Sequence, residues 1–194
     1  MGRVIGITGT PGTGKKTIAP LVASKLGLPC HSLNELSVGY GGRWGTDTES
    51  DVDTRALARK LSRRLREPSL LYGHLLPYVL NNASIACAVV LRCEPSVLRS
   101  RLIARGYRYE KIAQNVEAEL IGLVASDAQT SFGREKTMEF DTTTSEPMAA
   151  AQSISRMVRR RSHRQSRIDW TLRYDSPSRL RSLLPGRGTG SALT

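Results

Sequence analysis

Short apolar runs and longer amphipathic stretches alternate along the chain. Arg3 to Thr8 (RVIGIT) is brief, β-branched and apolar, as a strand buried on both faces would be. After a glycine-rich turn, KKTIAPLVASKLG carries apolar residues at Ile18, Leu21, Val22 and Leu26. That spacing predicts one helical face, with Gly27 as the C-terminal cap and Pro20 early enough to bend it little. LPCHS reads as a second short strand. Ser32 and Glu35 have the spacing of a capping box, so a helix is expected from about Leu33. Gly39 to Ser50 reads as an irregular insert. DVDTRALARKLSRRLRE then predicts an amphipathic helix with Ala56, Leu57, Leu61 and Leu65 inward.

SLLYG is a third strand, followed by HLLPYVL. Ala86 to Cys93 (ACAVVLRC) is a buried strand, and Pro95 opens the helix SVLRSRLIARG. Another helix is predicted from near Tyr109 to about Ala128, then a fifth strand at TMEFDTT and a closing helix at PMAAAQSISRMVRRR. Strands alternating with helices argue for an α/β fold with a parallel sheet covered on both faces. From about His163 the pattern breaks down. IDWTLRY alternates Ile168, Trp170, Leu172 and Tyr174 with polar residues, which reads as strand, and PGRGTGSALT reads as a disordered end.

The 194 residues suffice for one domain with a core and an appendage. No apolar run approaches the ~20 residues of a membrane span, so no membrane partner is expected. Without a secretion signal, and with Cys30, Cys87 and Cys93 forming no C-x-x-C pair, the expectation is a cytoplasmic protein with reduced thiols. Charge changes the picture more. Residues 1–150 carry 19 basic and 15 acidic groups, whereas residues 151–194 carry ten arginines against Asp169 and Asp175. Most of the net +12 therefore sits at one end, which points to a polyanionic partner.

The glycine-rich turn, GITGTPGTGKKT, holds the candidate chemistry. Gly9, Thr10, Pro11, Gly12, Thr13, Gly14 and Lys15 fit G-x-x-x-x-G-K, a loop whose backbone N–H groups wrap phosphate oxygens at a helix N-terminus. Lys15 would reach the outer phosphates and stabilise charge during transfer. The hydroxyl residue that ordinarily follows the lysine and ligates magnesium is Lys16 here, and the threonine comes one place later, at Thr17. A plain glycine turn is the bland alternative, but strand, turn, Gly-Lys and helix all occur in the right order. A dinucleotide fingerprint fits worse, because its third glycine is absent.

Together, GITGTPGTGKKT, GHLLP, VVLRC-P-VL-RL-ARGY and KIAQNVEAEL resemble the small adenylate-kinase-like ATPases of ribosome assembly found in archaea and eukaryotic nuclei. The resemblance covers roughly residues 3–162, and its most specific parts are Arg105-Gly106-Tyr107 and Lys111 to Leu120. It implies a P-loop NTPase of nucleoside-monophosphate-kinase type, with five parallel strands and helices on both faces. A kinase-like domain would occupy 1–162, with a monophosphate-binding segment at about 32–55 and a lid at about 104–114, followed by a basic extension at 163–194. It further implies ATP hydrolysis, weak, broad-specificity nucleoside monophosphate kinase activity (ATP + AMP to 2 ADP), and a role in late maturation of small-subunit (16S) ribosomal RNA through transient binding of a small-subunit ribosomal protein. Lys15, His74 and Arg105 would be the catalytic set, His74 orienting an attacking water or the γ-phosphate and Arg105 clamping phosphates. Arg108 is a second candidate for that clamp. Gly9, Gly12, Thr13, Gly14, Lys15, Lys16, Thr17 and Arg105 would line the nucleotide.

Three positions depart from the family pattern. Lys16 replaces the hydroxyl residue. Tyr72-Gly73-His74 stands where the family has Asp-x-His, so the acid is lost and the histidine kept; Tyr72 reads as a core residue. Val38 replaces an arginine for the monophosphate, and Arg43 lies close enough in sequence to substitute. With both metal-side groups gone, Mg2+ would be held mainly by phosphates and water, and no residue of the chain is expected to ligate it. Arg159, Arg160, Arg161, Arg164 and Arg167 form a cluster suited to phosphate backbone, with ribosomal RNA or a pre-30S particle the candidate partner. Trp170 and Tyr174 would either stack on bases or, together with Ile168 and Leu172, dock on the domain; docking is the favoured use. The alternative function is an RNA-binding assembly factor with a degenerate, very slow nucleotide site.

Overall fold

The computed structural model describes residues 4–38, 67–160 and 167–183, together with 54, 57–59 and 61 from the stretch between. Its centre is a five-stranded, wholly parallel sheet in the order β2-β3-β1-β4-β5. The strands are β1 (Val4–Thr8), β2 (Cys30–Ser32), β3 (Ser69–Tyr72), β4 (Ile85–Arg92) and β5 (Thr137–Asp141). The inner strands β1 (VIGIT) and β4 (IACAVVLR) are apolar runs because helices cover both faces, whereas the edge strands β2 (CHS) and β5 (TMEFD) carry polar residues.

On one face Val4, Leu71, Ala88 and Val90 pack against Leu33 of α2 (Leu33–Val38), Leu76 of α3 (Leu76–Val79) and the helical residues Leu57 and Leu61. The expected inward positions Ala56 and Leu65 lie outside the described residues. On the other face Ile7, Leu70, Val89 and Leu91 meet Ile18, Ala19 and Val22 of α1 (Lys15–Leu26) and Ile154 of the last long helix. Tyr72 leans on this second cluster as the core residue its sequence position suggested. Burying each such Ile, Leu or Val contributes about 1.5–3 kcal/mol. Gly27 caps α1 in the left-handed region, with φ 68°.

Helix α4 (Pro95–Ala104) starts where Pro95 placed it, capped by Glu94, whose carboxylate accepts from the N–H groups of Ser96 (3.0 Å) and Val97 (3.1 Å). Two expectations are corrected downstream. The helix predicted from Tyr109 to about Ala128 is two helices, α5 (Tyr109–Leu120) and α6 (Leu123–Phe132). Gly122 breaks it at φ 69°, a left-handed conformation that side chains rarely adopt; space is not the reason, since a Cβ there would only touch the Arg92 guanidinium at 3.4 Å.

After α7 (Pro147–Arg160), the stretch Ile168–Tyr174 is not a strand. Asp169 Oδ1 accepts from the Thr171 N–H (3.0 Å) and hydroxyl (2.6 Å), and this local bond winds 171–173 into a 3₁₀ turn that leaves Leu172 75% exposed. A short helix, α8 (Pro177–Leu183), follows. The chain between 167 and 183 nevertheless lies on the domain. Trp170 and Leu183 are buried in a third cluster with Leu98 and Leu102 of α4 and Ile112, Val116 and Leu120 of α5.

Candidate functional site

The loop between β1 and α1 is built on glycines that nothing else could replace. Gly9, Gly12 and Gly14 all have positive φ (140°, 96° and 96°). A Cβ at Gly9 would come within 2.3 Å of the Leu91 carbonyl oxygen, and one at Gly12 within 2.6 Å of Leu98. Gly14 is the residue before the first turn of α1, so the loop ends at that helix's positive pole. Thr13 is buried; its N–H (3.2 Å) and hydroxyl (2.9 Å) both donate to the Thr10 carbonyl. The Thr142 hydroxyl, just beyond β5, donates to the Thr13 carbonyl at 2.9 Å and pins the loop to the sheet edge.

Lys15 points its ammonium into the loop, donating to the carbonyls of Gly9 (2.6 Å) and Thr10 (2.9 Å). Burial pushes its pKa down to about 7; the nearby Glu119 carboxylate opposes that shift, and Arg105 adds to it. His74, just past β3, is lowered to about 4 by burial and then by the charges of Lys15 and Lys111. It is thus neutral at ordinary pH. These mutual effects place Lys15, His74 and Arg105 in one electrostatic neighbourhood. Arg105 is exposed at the C-terminal end of α4, in the turn that leads through Gly106 (φ 73°) to α5. Arg108 ends that turn as the residue before α5, and is also exposed.

Lys16 and Thr17 are both exposed on the first turn of α1. Successive helical residues are rotated by about 100°, so the Thr17 hydroxyl does not take over the direction that Lys16 occupies. Among the described residues no group of three His, Cys, Asp or Glu side chains could hold a metal ion. Lys16 and Tyr72 supply no carboxylate or small hydroxyl at the two positions where magnesium would expect one, so these residues do not fit direct ligation of the metal. Arg43 lies outside the described residues, and so does the side chain of Val38. In the basic cluster, Arg160 and Arg167 are exposed, and Arg159 donates to the Lys25 carbonyl at 2.5 Å; Arg161 and Arg164 lie outside the described residues.

A buried polar network stands behind the loop, and sequence reasoning missed it. Glu119, 1% exposed, accepts from the Thr10 hydroxyl (2.5 Å) on Oε2. Its Oε1 accepts from Arg92 Nε (2.8 Å), the Cys93 N–H (3.0 Å) and Trp170 Nε1 (3.2 Å). Arg92, 2% exposed, also pairs with Glu139 (2.5 Å) and donates to the carbonyls of Glu119 and Ile168, both at 3.0 Å. A signal was present: Glu119 falls on the same helical face as Ile112 and Val116, and Arg92 ends an otherwise apolar strand.

The sequence matches the family described as "AAA domain" over residues 5–122. It is 33% identical over 180 residues to a protein of Thermococcus onnurineus named "Putative adenylate kinase", covering 89% of this chain and 93% of that one. A namesake from Pyrococcus abyssi is 35% identical over 177 residues, with the same coverage. The chain belongs to this AAA-domain family. Among solved structures, a shikimate kinase from Acinetobacter baumannii in complex with shikimate superposes with a TM-score of 0.55 at 19% identity, over 84% of this chain and 96% of that one. A shikimate kinase from Bacteroides thetaiotaomicron gives the same TM-score at 17% identity. At such identities these two establish the fold, a P-loop kinase-like sheet with its loop between the first strand and first helix. Among the described residues no helix of this family member is long and apolar enough to cross a membrane.

Proposed function

We propose that the chain is an ATP-dependent phosphoryl-transfer enzyme of adenylate kinase type, converting ATP and a nucleoside monophosphate such as AMP to two diphosphates, with hydrolysis as the slower alternative. One observation carries the reading: three glycines at positive φ set a loop at the head of α1, with the Lys15 ammonium enclosed by it. The names of the archaeal relatives support the adenylate kinase type.

In this reading the loop N–H groups and the start of α1 hold the triphosphate. Lys15 leaves the two loop carbonyls to follow the transferring phosphoryl group, and Arg105 closes over it from the segment at 104–114. An oxygen of the acceptor phosphate attacks the γ-phosphorus, the bond to the β-γ bridging oxygen breaks, and ADP leaves. Neutral His74 accepts a hydrogen bond and orients the acceptor, or a water in its place. Acceptor binding falls to the segment at 32–55. Magnesium would travel with the nucleotide, held by phosphates and water.

The biological setting we propose is late maturation of the small ribosomal subunit. A small-subunit ribosomal protein would be the transient partner, and ribosomal RNA would be met by Arg159, Arg160, Arg161, Arg164 and Arg167. The concentration of positive charge after residue 150 supports it. The test is ADP formation from ATP with and without AMP, then with an added small-subunit ribosomal protein. Stimulation by AMP supports the kinase; a slow rate that AMP leaves unchanged and Lys15→Ala does not reduce would favour an assembly factor with a vestigial site.

A further inference from the structure

The carboxylate of Glu119 is the meeting point of three parts of the chain that are remote in sequence. Thr10 belongs to the phosphate loop, Arg92 to the end of β4, and Trp170 to the segment after the last long helix. Four donors meet its two oxygens, three on Oε1 and one on Oε2, so its position is fixed rather than averaged over rotamers. Thr10 is the hinge of the loop's internal bonding. Its carbonyl takes Thr13 and Lys15, while its hydroxyl is held by Glu119. Glu119 itself ends α5, the helix that begins at the lid turn carrying Arg105. Trp170 and the Ile168 carbonyl close the outer side of the network, the latter through Arg92.

We propose that Glu119 is a positioning residue that sets the phosphate loop through Thr10, and that the C-terminal segment, through the Trp170 indole N–H, is a working part of the nucleotide site. This deepens the phosphoryl-transfer reading and rests on it. The chemistry is directional. A carboxylate holding the Thr10 hydroxyl fixes the plane of the Thr10–Pro11 peptide, and with it the carbonyl that competes with phosphate for Lys15. Removing the Trp170 donor leaves Glu119 Oε1 to Arg92 and the Cys93 N–H, both on the β4 side, so the carboxylate can turn toward them and the loop loses part of the hold on its acceptor. A segment whose charge suggests a polyanion-binding tail therefore also tunes ATP affinity from behind.

The experiment is ATP affinity by calorimetry on the full chain, with melting temperature recorded for each variant. Thr10→Val, isosteric but without the hydroxyl, is expected to weaken ATP by about tenfold, and Thr10→Ser to restore most of it. Trp170→Phe, which keeps a ring in the cluster but removes the N–H, is expected to cost about threefold. The double variant Thr10→Val/Trp170→Phe should be no weaker than Thr10→Val alone, because both act through one carboxylate. Effects that simply multiply, a Trp170→Phe protein with wild-type affinity, or a Thr10→Ser protein as weak as Thr10→Val overturns the proposal. In the wild-type protein the Trp170 indole N–H resonance, assigned by its loss in Trp170→Phe, should shift on saturation with ATP; an unmoved resonance overturns it without relying on any variant's folding. A wild-type chain that binds no ATP defeats the phosphoryl-transfer reading and this proposal together, whereas normal ATP binding with uncoupled variants defeats this proposal alone.

Discussion

The Thr10 hydroxyl donates to the Glu119 carboxylate at 2.5 Å across 109 positions of sequence. That bond joins the floor of the loop after β1 to the last turn of the helix that follows the Arg105–Arg108 turn. It also places a fixed negative charge near Lys15, and the Lys15 pKa registers it.

Lys15 should take up a proton when ATP binds. Burial holds its pKa at about 7, so at pH 8 the amine is mostly neutral, and a triphosphate restores the charged form. Calorimetry at pH 8 in buffers of different ionisation enthalpy should show uptake of about one proton per ATP, and Lys15→Met should abolish it. The sign for folding is opposite. Between about 7 and 10.5 the unfolded chain holds the lysine proton and the folded chain does not. The penalty of burying Lys15 is therefore present in full below pH 7 and relieved as pH rises through that window.

Lys16→Thr should tighten magnesium dependence. The native residue offers no hydroxyl, so the metal is expected to act as a loosely held companion of the nucleotide, and a threonine would add a ligand at the ordinary position. ATP turnover titrated against free magnesium should half-saturate at a clearly lower concentration in the variant. Superimposable curves would refute the expectation.

Arg92→Met should be strongly destabilising. It leaves Glu119 and Glu139 as buried carboxylates without their cation, a situation that costs about 3–5 kcal/mol. Urea unfolding measures it, and the companion Arg92→Met/Glu139→Gln should recover part of the loss.

Thr8→Val should be neutral or slightly stabilising. The Thr8 hydroxyl is buried at the end of β1 and has no hydrogen-bond partner among the described residues. An isosteric methyl removes an unmet polar group from the core, worth about 1–3 kcal/mol at most. A rise in melting temperature is the expected result; a marked fall would mean that the hydroxyl has a partner such as buried water.

The sheet and the loop were legible in sequence for clear physical reasons. The inner strands β1 and β4, covered on both faces, are apolar runs, and glycine suits the positive φ values at 9, 12 and 14. What escaped reading was set by distant partners. Tyr109 to Ala128 scans as one helix because its apolar spacing runs on past Gly122, where the chain turns to a left-handed φ of 69° and ends the first helix. The alternation from Ile168 to Tyr174 imitates a strand, yet the Asp169 side chain offers a nearer bond and the turn wins. Lys15 and Arg105 could be picked by motif. Glu119 could be suspected only as a charge on an apolar stripe, and its link to Trp170 appears only once the segment after the last long helix packs on α5.

The order β2-β3-β1-β4-β5 bears on how the molecule comes into being. Strand β1 is made before its pairing partners, Ser69–Tyr72 and Ile85–Arg92. Gly9 rests against Leu91, and the network behind Thr10 is closed only by Trp170. The loop at residues 9–15 is therefore synthesised before the strands and the indole that it is packed against. Synthesis runs ahead of assembly here, and the loop takes its full set of contacts only when those later segments are in place.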